Sequence, residues 1–483
     1  MTRANMHGSL LSIGPLAGRR RERPMSEDER GTRRADSPRN ALVNISPLTD
    51  PNIEATQREA AGAFGGDPVV TGTSESNEPP RVGAGFVAVY SLTYFGFFLV
   101  LFVPSLFSLA YKVQLIEPEG KEAALGLIVG IGALFNLILG PIFGVLSDAT
   151  RLRWGRRRPF LVFGLGVAAL AACLIAIAPS VPLVLAGWII AQVAASAISA
   201  ALNPTLPERV PAEQRGKLGA LSGVAASIAG VSATLVGSLL TGDLVLLFLL
   251  PVAVLAVGVV LWLFVVPDAP APAGAQRPIG AALRSLLFDP RKHPDFAWVW
   301  IGKFCLQIGL AFFTTYQLYF LLDRLGFTAE EAGRQLAVVG GISLLATMLF
   351  TIAGGTLSDR LRRRKPFIYL ASAMIAAGMI TAAFSSDFVI YAVAGALLAA
   401  GTGAFNSVDL ALASDVLPDK AESGKWMSIY HLSGALSTAV GPAIAPLVLS
   451  TGASGANYTL LFVSGGILAL GSVITVIRVR GAR

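Results

Sequence analysis

The sequence predicts an all-α membrane protein in which twelve transmembrane helices form two pseudo-symmetric six-helix bundles. The first observation behind this prediction is the composition, because 54% of the 483 residues are hydrophobic and only 14% are charged. Soluble domains carry about 25% charged residues. The second observation is a series of apolar runs of membrane-spanning length, and the third is an arginine-rich turn that occurs twice.

Twelve apolar runs each approach the roughly 20 residues that an α-helix needs to cross a bilayer. The first and the seventh are long enough to cross at a tilt. We place the runs at residues 84–111, 124–146, 159–178, 182–206, 218–241, 244–266, 296–322, 332–357, 366–386, 388–413, 426–449 and 457–477.

The turn between the second and third runs begins with Gly-Val-Leu-Ser-Asp at 144–148 and continues through five arginines to Pro-Phe at 159–160. A similar pattern, Gly-Thr-Leu-Ser-Asp at 355–359, is followed by another basic run and by Pro-Phe at 366–367. Two copies of one turn imply two copies of the bundle around it.

The repeat sets the predicted organisation of the chain. We expect a disordered cytoplasmic tail at 1–82, because this segment is rich in polar residues and proline and has no sustained apolar periodicity. An N-terminal bundle follows at 83–266 and a C-terminal bundle at 296–478. A polar cytoplasmic linker at 267–295 joins them, and residues 479–483 form a short cytoplasmic tail.

The positions of the basic residues predict the orientation. With both termini in the cytoplasm, 33 of the 38 Lys and Arg residues fall on the cytoplasmic side. The four that fall outside are Lys112, Lys121, Arg324 and Arg334. Basic residues are retained on the cytoplasmic side, so we expect a multi-pass plasma-membrane protein. The same placement explains the net charge of +8 without a nucleic-acid partner.

Several spans carry uncharged polar side chains near the middle of the membrane. A polar group in lipid is destabilising unless it is paired or hydrated, so we expect these helices to surround a central aqueous cavity. Amides there can donate to and accept from solute hydroxyls. The candidate solute-binding residues are Asn136, Gln192, Gln307, Tyr316 and Asn406.

Tyr90, Tyr94 and Phe98 follow one another at helical spacing in the first span. Aromatic faces stack on sugar rings, so Tyr94 is a further candidate for solute contact. Packing in the helical core is the alternative interpretation of this stripe.

Lys303, Asp409 and His431 lie at similar depth, roughly 7–10 Å inside the cytoplasmic end of their spans. A cation and an anion buried at one level are expected to pair. Lys303 and Asp409 therefore form either a static ion pair or a titratable site that couples transport to protons. His431 is either a proton relay or a hydrogen-bonded structural residue.

Asp148 stands at the inner end of the second span, where it can accept hydrogen bonds from Arg156 or Arg157. It can also interact favourably with a neighbouring helix N-terminus. Retention of basic residues explains Arg151 and Arg153, but it does not require a carboxylate. We therefore expect Asp148 to belong to a gate that joins the two halves in one state and breaks in the other.

The same reasoning extends the gate to the matching positions of both halves. Glu208 is expected to pair with Arg215, and Asp415 with Lys425 or Arg363. Glycines near the turns permit close helix approach. The complete predicted gating set is Gly140, Gly144, Asp148, Arg156, Arg157, Glu208, Arg215, Gly355, Asp359, Arg363, Asp415 and Lys425.

Residues 144–148, followed by Gly155-Arg156-Arg157, resemble the signature loop between helices two and three of the major facilitator superfamily. The longer form, a spaced basic run that ends Gly-Arg-Arg-Arg-Pro-Phe, resembles the branch of sucrose:proton symporters and glycoside–pentoside–hexuronide carriers. The family signature normally spaces the aspartate and the Gly-Arg-Arg element more tightly, whereas residues 149–154 intervene here. The resemblance covers about 83–478 and implies alternating access by rocking of two bundles.

These features predict a secondary active transporter of a small solute, with a proton-coupled sugar or glycoside carrier as the first hypothesis. It would work as a monomer in the lipid bilayer. A proton-driven exporter of drugs or metabolites is the second hypothesis, and a transport-inactive membrane sensor is the third. No metalloenzyme motif, phosphate-binding loop or nucleophile arrangement is visible, so no enzymatic activity, cofactor or metal is expected.

Overall fold

The computed structural model describes residues 80–268, 280, 288–361, 363–419, 422–452 and 455–479. Most of the predicted N-terminal tail, linker and C-terminal tail therefore lies outside the described residues.

Within these ranges, twelve helices are long and apolar enough to cross a membrane, which confirms the predicted fold class. They are α1 Ala84–Ile116, α2 Lys121–Ala149, α3 Arg158–Ile177, α4 Val181–Arg209, α5 Ala212–Leu239, α6 Leu244–Val265, α7 Pro294–Asp323, α8 Ala329–Leu361, α9 Lys365–Ala383, α10 Phe388–Asp415, α11 Ser423–Leu449 and α12 Tyr458–Arg478.

The predicted ends agree with these bounds to within about four residues, with two exceptions. The helix α1 continues to Ile116, and α5 begins at Ala212, ahead of its apolar stretch. Hydropathy marks the part of a helix that suits lipid, whereas the helix itself continues wherever the backbone hydrogen bonds continue.

Proline interrupts α1 in its C-terminal half. A π-helical turn at Pro104–Ser108 separates the α-helical parts Ala84–Val103 and Leu109–Ile116. This turn presents Phe107, which is fully buried. Its ring lies so close to Gly237 of α5 and Gly333 of α8 that a Cβ at either glycine would overlap it.

The helix contacts repeat between the two halves, as the duplicated turn predicts. In the first half, α1 packs on α5 and α6, α3 packs on α4 and α6, and α2 packs on α4. Each contact has a counterpart in the second half, where α7 packs on α11 and α12, α9 on α10 and α12, and α8 on α10. The halves meet along α2–α11 and α5–α8.

Candidate functional site

The two halves are closely packed at one end of the helices and separated at the other. We call the end with the arginine-rich turns the basic face and the opposite end the outer face. Towards the outer face, Gly126 of α2 lies so close to Pro442 and Tyr316 that a Cβ there would overlap both. At the α5–α8 crossing, a Cβ at Gly333 would lie 2.7 Å from the side chain of Ser238. The outer face is therefore closed.

Towards the basic face the same helices are apart. Positions Gly140 and Gly144 of α2, and Gly219 and Gly223 of α5, have no atom within 4 Å of the place where a Cβ would stand. Among the described residues, every hydrogen bond and ion pair that joins the halves lies at the outer end of the helices. A crevice between the halves therefore opens to the basic face.

A cavity of about 420 Å³ lies between the halves at the middle of the helices. The helices α1, α5, α7, α8 and α10 form its wall, which is apolar except for hydroxyl groups and one amide, Gln317. No charged side chain is among the lining residues that the structure describes. These hydroxyls were not among the predicted site residues, because single Ser and Thr residues are common in helices.

Three hydroxyls at four-residue spacing bond α8 to α10. Ser343, Thr347 and Thr351 donate to the carbonyl oxygens of Gly395, Ala399 and Gly403, at 3.5, 3.2 and 3.2 Å respectively. The small residues on α10 permit this close approach. Ser343 and Thr347 also line the cavity. Since their protons are committed to the backbone, these hydroxyls offer mainly lone pairs to a solute.

Gln317 of α7 is 9% exposed and lines the same cavity. Its side-chain amide has no hydrogen-bond partner among the described residues. The group can therefore supply donors as well as an acceptor to a bound molecule.

The predicted amides Asn136 and Gln192 contact each other. Asn136 Nδ2 donates to Gln192 Oε1 at 3.1 Å and joins α2 to α4. Counting from the duplicated turns, this pair occupies the place that Thr347 and Ala399 occupy in the second half. One inter-helix crossing point is thus bridged by an amide pair in the first half and by a hydroxyl in the second.

The other predicted solute-binding residues fall in different surroundings. Gln307 is half-buried on α7 and faces Gly434 of α11 next to Lys303. Asn406 is exposed on α10, one helical turn before Asp409.

Two of the predicted solute-contact residues lie away from the cavity wall. Tyr316 is fully buried, and its hydroxyl lies within hydrogen-bond distance of the carbonyl oxygens of Glu122 and Pro442. It therefore belongs to the closed outer end, away from the cavity wall. Tyr94 is 6% exposed in the core of the first half and donates to Asn203 Oδ1 at 3.3 Å. These contacts agree with the core interpretation of the aromatic stripe, and solute contact by Tyr94 stays a prediction.

Lys303 and Asp409 form the predicted buried ion pair. Lys303 Nζ lies 2.8 Å from Asp409 Oδ2, and the side chains are 11% and 9% exposed. The Tyr430 hydroxyl of α11 donates to Asp409 Oδ1, and its ring centroid lies 4.1 Å from Lys303 Nζ. Three helices of the second half therefore meet at one lysine, one carboxylate and one phenol.

His431 is exposed and lies within electrostatic range of both Lys303 and Asp409. The structure provides no hydrogen bond to its ring from the described residues. A hydrogen-bonded structural histidine, the alternative weighed for this position, has no support in these contacts.

In the first half, Arg157 is the centre of the arginine-rich turn. Its side chain is 4% exposed and forms ion pairs with Asp148 at 2.9 Å and with Glu208 at 2.6 Å. It also donates to Ser147 Oγ at 2.7 Å. Arg156 binds the other oxygen of Glu208 at 2.6 Å. This network joins α2, α3 and α4 within the first half, so in this state it does not join the two halves.

Asp268 completes the network and was not predicted. Its carboxylate accepts hydrogen bonds from the backbone N–H groups of Arg157 and Arg158, at 2.7 and 2.9 Å, and thereby satisfies the N-terminus of α3. Gly155 has a φ of +101°, and a Cβ there would overlap the Asp268 side chain. About 110 residues separate Asp268 from the turn, which leaves no local pattern that links them.

The second half repeats the network with a different arginine. Arg364, and not the predicted Arg363 or Lys425, pairs with Asp415 at 2.5 Å. Lys425 instead pairs with Glu422 at 2.7 Å. Arg364 aligns with Arg157 when both turns are counted back from their Pro-Phe pairs.

Two further gating residues differ from expectation. Arg215 does not pair with Glu208, because its guanidinium donates to the carbonyl oxygens of Val210 and Pro207 at 2.8 and 3.0 Å. Asp359 has no ion pair with a described residue, and nothing lies closer than 3.9 Å to a Cβ at Gly355.

The family model of the Major Facilitator Superfamily matches residues 86–345 and 332–482. The chain belongs to this superfamily. It is therefore a multi-pass membrane protein of a transporter family, as its twelve apolar helices indicate.

Solved structures with the same fold include a nucleoside transporter, NupG, with a TM-score of 0.68, 12% identity and coverage of 82% of this chain and 99% of that one. A D-xylose–proton symporter has a TM-score of 0.62, 18% identity and coverage of 80% and 96%. A bacterial homologue of the human lysosomal transporter Spinster, in an inward-facing and occupied conformation, has a TM-score of 0.62, 14% identity and coverage of 81% and 94%.

A local match links the chain to an uncharacterized symporter of Synechocystis. The two sequences are 48% identical over 52 residues, which span only 11% of this chain and 10% of that protein.

Proposed function

We propose that the protein is a secondary active carrier that moves a small, neutral, hydroxyl-bearing solute by alternating access, with a sugar or glycoside as the favoured class. The observation that carries this proposal is the cavity of about 420 Å³ between the halves, which is lined by hydroxyls and an amide. Ligand pockets of this kind combine apolar walls with a few placed polar groups.

The chemistry of the wall narrows the solute class. A carboxylate or phosphate solute needs cationic or N–H donors, whereas Ser343 and Thr347 offer mainly acceptor lone pairs. A solute rich in O–H donors matches these acceptors, and Gln317 can bind both kinds of group. The Asn136–Gln192 pair on the opposite flank, with Gln307 and Asn406 nearer the basic face, supplies further polar contacts along the crevice.

Proton coupling is the second part of the proposal, and it is assigned to Lys303, Asp409 and His431. The Asp409 carboxylate pairs with Lys303 and accepts a hydrogen bond from the Tyr430 hydroxyl, so it joins α7, α10 and α11. Protonation of Asp409 would release Lys303 and break the contact between α7 and α10. His431 is exposed beside the pair, where it can exchange protons with water in the crevice.

The arginine-rich turns serve as gating elements in this proposal. The positive-inside rule assigns the basic face to the cytoplasm, so the described conformation faces inward with both termini in the cytoplasm of a plasma-membrane protein. Closure of the basic face would bring Gly140 and Gly144 of α2 against α11. Asp148, Arg157 and Glu208 would then hold the helix ends in register for that contact.

The proton-coupled import hypothesis agrees with the resemblance to the sucrose and glycoside branch. A proton-driven exporter of drugs or metabolites has the same architecture and remains the alternative. A transport-inactive sensor is the alternative of another class, although the intact networks at both turns favour a moving carrier.

Counterflow of labelled sugars in proteoliposomes tests the proposal. Liposomes that contain the purified protein are preloaded with an unlabelled disaccharide, and the entry of labelled disaccharide is followed with and without an imposed proton gradient. Counterflow without a gradient, and accumulation with one, are the expected results. Efflux of lipophilic cations without sugar counterflow would favour the exporter, and the absence of both would favour the sensor.

A further inference from the structure

The arginine-rich turn of the first half contains a segment that its ion-pair network does not need. Eleven residues lead from the aspartate to the proline of this turn, at 149–159, whereas seven do so in the second half, at 360–366. The shorter turn still places Arg364 against Asp415. We call residues 151–154 of the longer turn, Arg-Leu-Arg-Trp, the insert. Because the second half forms its ion pair without such residues, the insert is free for another role.

The insert is an exposed turn that is held in place at one end. The Gly155 N–H donates to the Leu152 carbonyl oxygen at 3.0 Å, so Arg153 and Trp154 occupy the two central positions of a β-turn. Gly155 also packs against Asp268, which accepts from the backbone at the start of α3. Every residue of the insert is exposed. Its side chains are therefore presented outwards from an anchored backbone.

The insert combines two large apolar side chains with two cations. Leu152 is 56% exposed and Trp154 is 69% exposed. Arg151 and Arg153 form no ion pair and no hydrogen bond with a described residue. Exposed apolar surface rimmed by polar groups marks a binding surface for another molecule. The insert therefore has the composition of an interaction site rather than of a simple helix connection.

The position of the insert identifies lipid as its partner. Asp268, which anchors the turn, lies three residues beyond the end of α6 at Val265, and α3 and α6 pack on helices of the first half. Phe264 of α6 is 83% exposed and Phe163 of α3 is 49% exposed, as expected of side chains that face acyl chains. The insert therefore stands where the lipid-facing surface ends at the basic face, which is the level of the phospholipid headgroups. Tryptophan is enriched at this level of membrane proteins.

We propose that the insert binds anionic phospholipid at the basic face. Leu152 and Trp154 enter the headgroup region. The guanidinium groups of Arg151 and Arg153 bind phosphate oxygens, which match their planar arrangement of donors. Two cations without a protein carboxylate favour a lipid with net negative charge over a zwitterionic lipid, whose own cation offsets its phosphate. The insert lies outside the solute cavity and the ion-pair network, so this proposal depends neither on the solute nor on proton coupling.

Fluorescence quenching by brominated lipid tests the proposal on the full chain in phosphatidylcholine nanodiscs. Increasing fractions of the lipid are replaced by brominated phosphatidylglycerol in one series and by brominated phosphatidylcholine in another, because bromine quenches a tryptophan that it contacts. The difference between the wild type and Trp154→Phe isolates Trp154 from the other five tryptophans.

The two series are expected to differ strongly. Each arginine at a membrane surface favours anionic lipid about fivefold. Quenching of Trp154 is therefore expected to reach half its maximum at an about 25-fold lower fraction of brominated phosphatidylglycerol than of brominated phosphatidylcholine.

Substitutions of the two arginines test their part in this preference. Arg151→Gln and Arg153→Gln are each expected to reduce it about fivefold, and the double variant is expected to abolish it. Lys217→Gln is the matched control, because Lys217 is an exposed cation of the basic face on α5, beside the crevice, and forms no ion pair with a described residue. This control should keep the wild-type preference. All of these variants should retain the wild-type melting temperature, since the substituted side chains have no charged partner among the described residues.

Three results would overturn the proposal. Absence of quenching by either lipid would place the insert in water, where a soluble partner would have to cover it. Equal quenching by both lipids would make the insert an anchor that does not select charge. A preference that survives in the double variant would assign it to charges elsewhere on the basic face.

Discussion

The substitution Asp409→Asn tests the buried ion pair as both a structural and a functional unit. It leaves the Lys303 ammonium, whose side chain is 11% exposed, without its carboxylate in a protein interior. Removal of one partner from a buried pair costs about 3–5 kcal/mol, whereas replacement of both partners by neutral groups is often close to neutral.

We therefore expect Asp409→Asn to lower the melting temperature in detergent by roughly 5 °C, on the scale of a few degrees per kcal/mol. The single variant Lys303→Met should show a loss of similar size, since it strands the carboxylate. The double variant should recover most of the wild-type melting temperature. Additive losses in the double variant would contradict the reasoning, because they would mean that the two charges do not depend on each other.

The same variants separate coupling from transport. Asp409→Asn is expected to retain counterflow of the solute but to lose accumulation driven by a proton gradient. Asp387→Asn is the matched control, because Asp387 caps the outer end of the same helix and accepts from the Ile390 N–H at 3.1 Å. Accumulation that survives in Asp409→Asn would refute the proposed role of this carboxylate.

Two further substitutions test the basic turn and the cavity wall. Gly155→Ala forces a side chain into a positive-φ position and onto Asp268. We therefore expect the free energy of unfolding to fall by at least about 1–2 kcal/mol, which a lower melting temperature would show. The control Gly166→Ala, which lies in open space on α3, should keep the wild-type melting temperature. Thr347→Val removes one acceptor from the cavity and one hydrogen bond between α8 and α10. We therefore expect the solute concentration that gives half-maximal counterflow to rise about fivefold, the equivalent of about 1 kcal/mol of binding free energy. The control Thr356→Val removes a hydroxyl that donates to a carbonyl oxygen of its own helix and should leave the half-maximal solute concentration unchanged.

Some parts of this architecture are determined by local chemistry and could be predicted from the sequence. The twelve spans follow from hydropathy, because a bilayer requires continuous apolar helices. The Lys303–Asp409 pair follows from the high energy of an isolated charge in the membrane. The duplicated turn predicted the symmetric packing of the two halves.

Other parts depend on geometry that the sequence does not display. Arg363 and Arg364 are neighbours of equal charge, and only the path of the turn decides that Arg364 faces Asp415. The role of Asp268 depends on where the linker leaves α6. The hydroxyls of α8 could not be separated from ordinary helical Ser and Thr until α10 was placed beside them.

The unequal surroundings of the glycines on α2 have a pharmacological consequence. Gly126 is already covered by α11, whereas Gly140 and Gly144 border an empty cleft. A rigid apolar molecule that fills this cleft would prevent α2 from packing against α11 and would therefore block the proposed closure of the basic face. Such an inhibitor would trap one conformation without occupying the solute cavity, so added solute would not displace it.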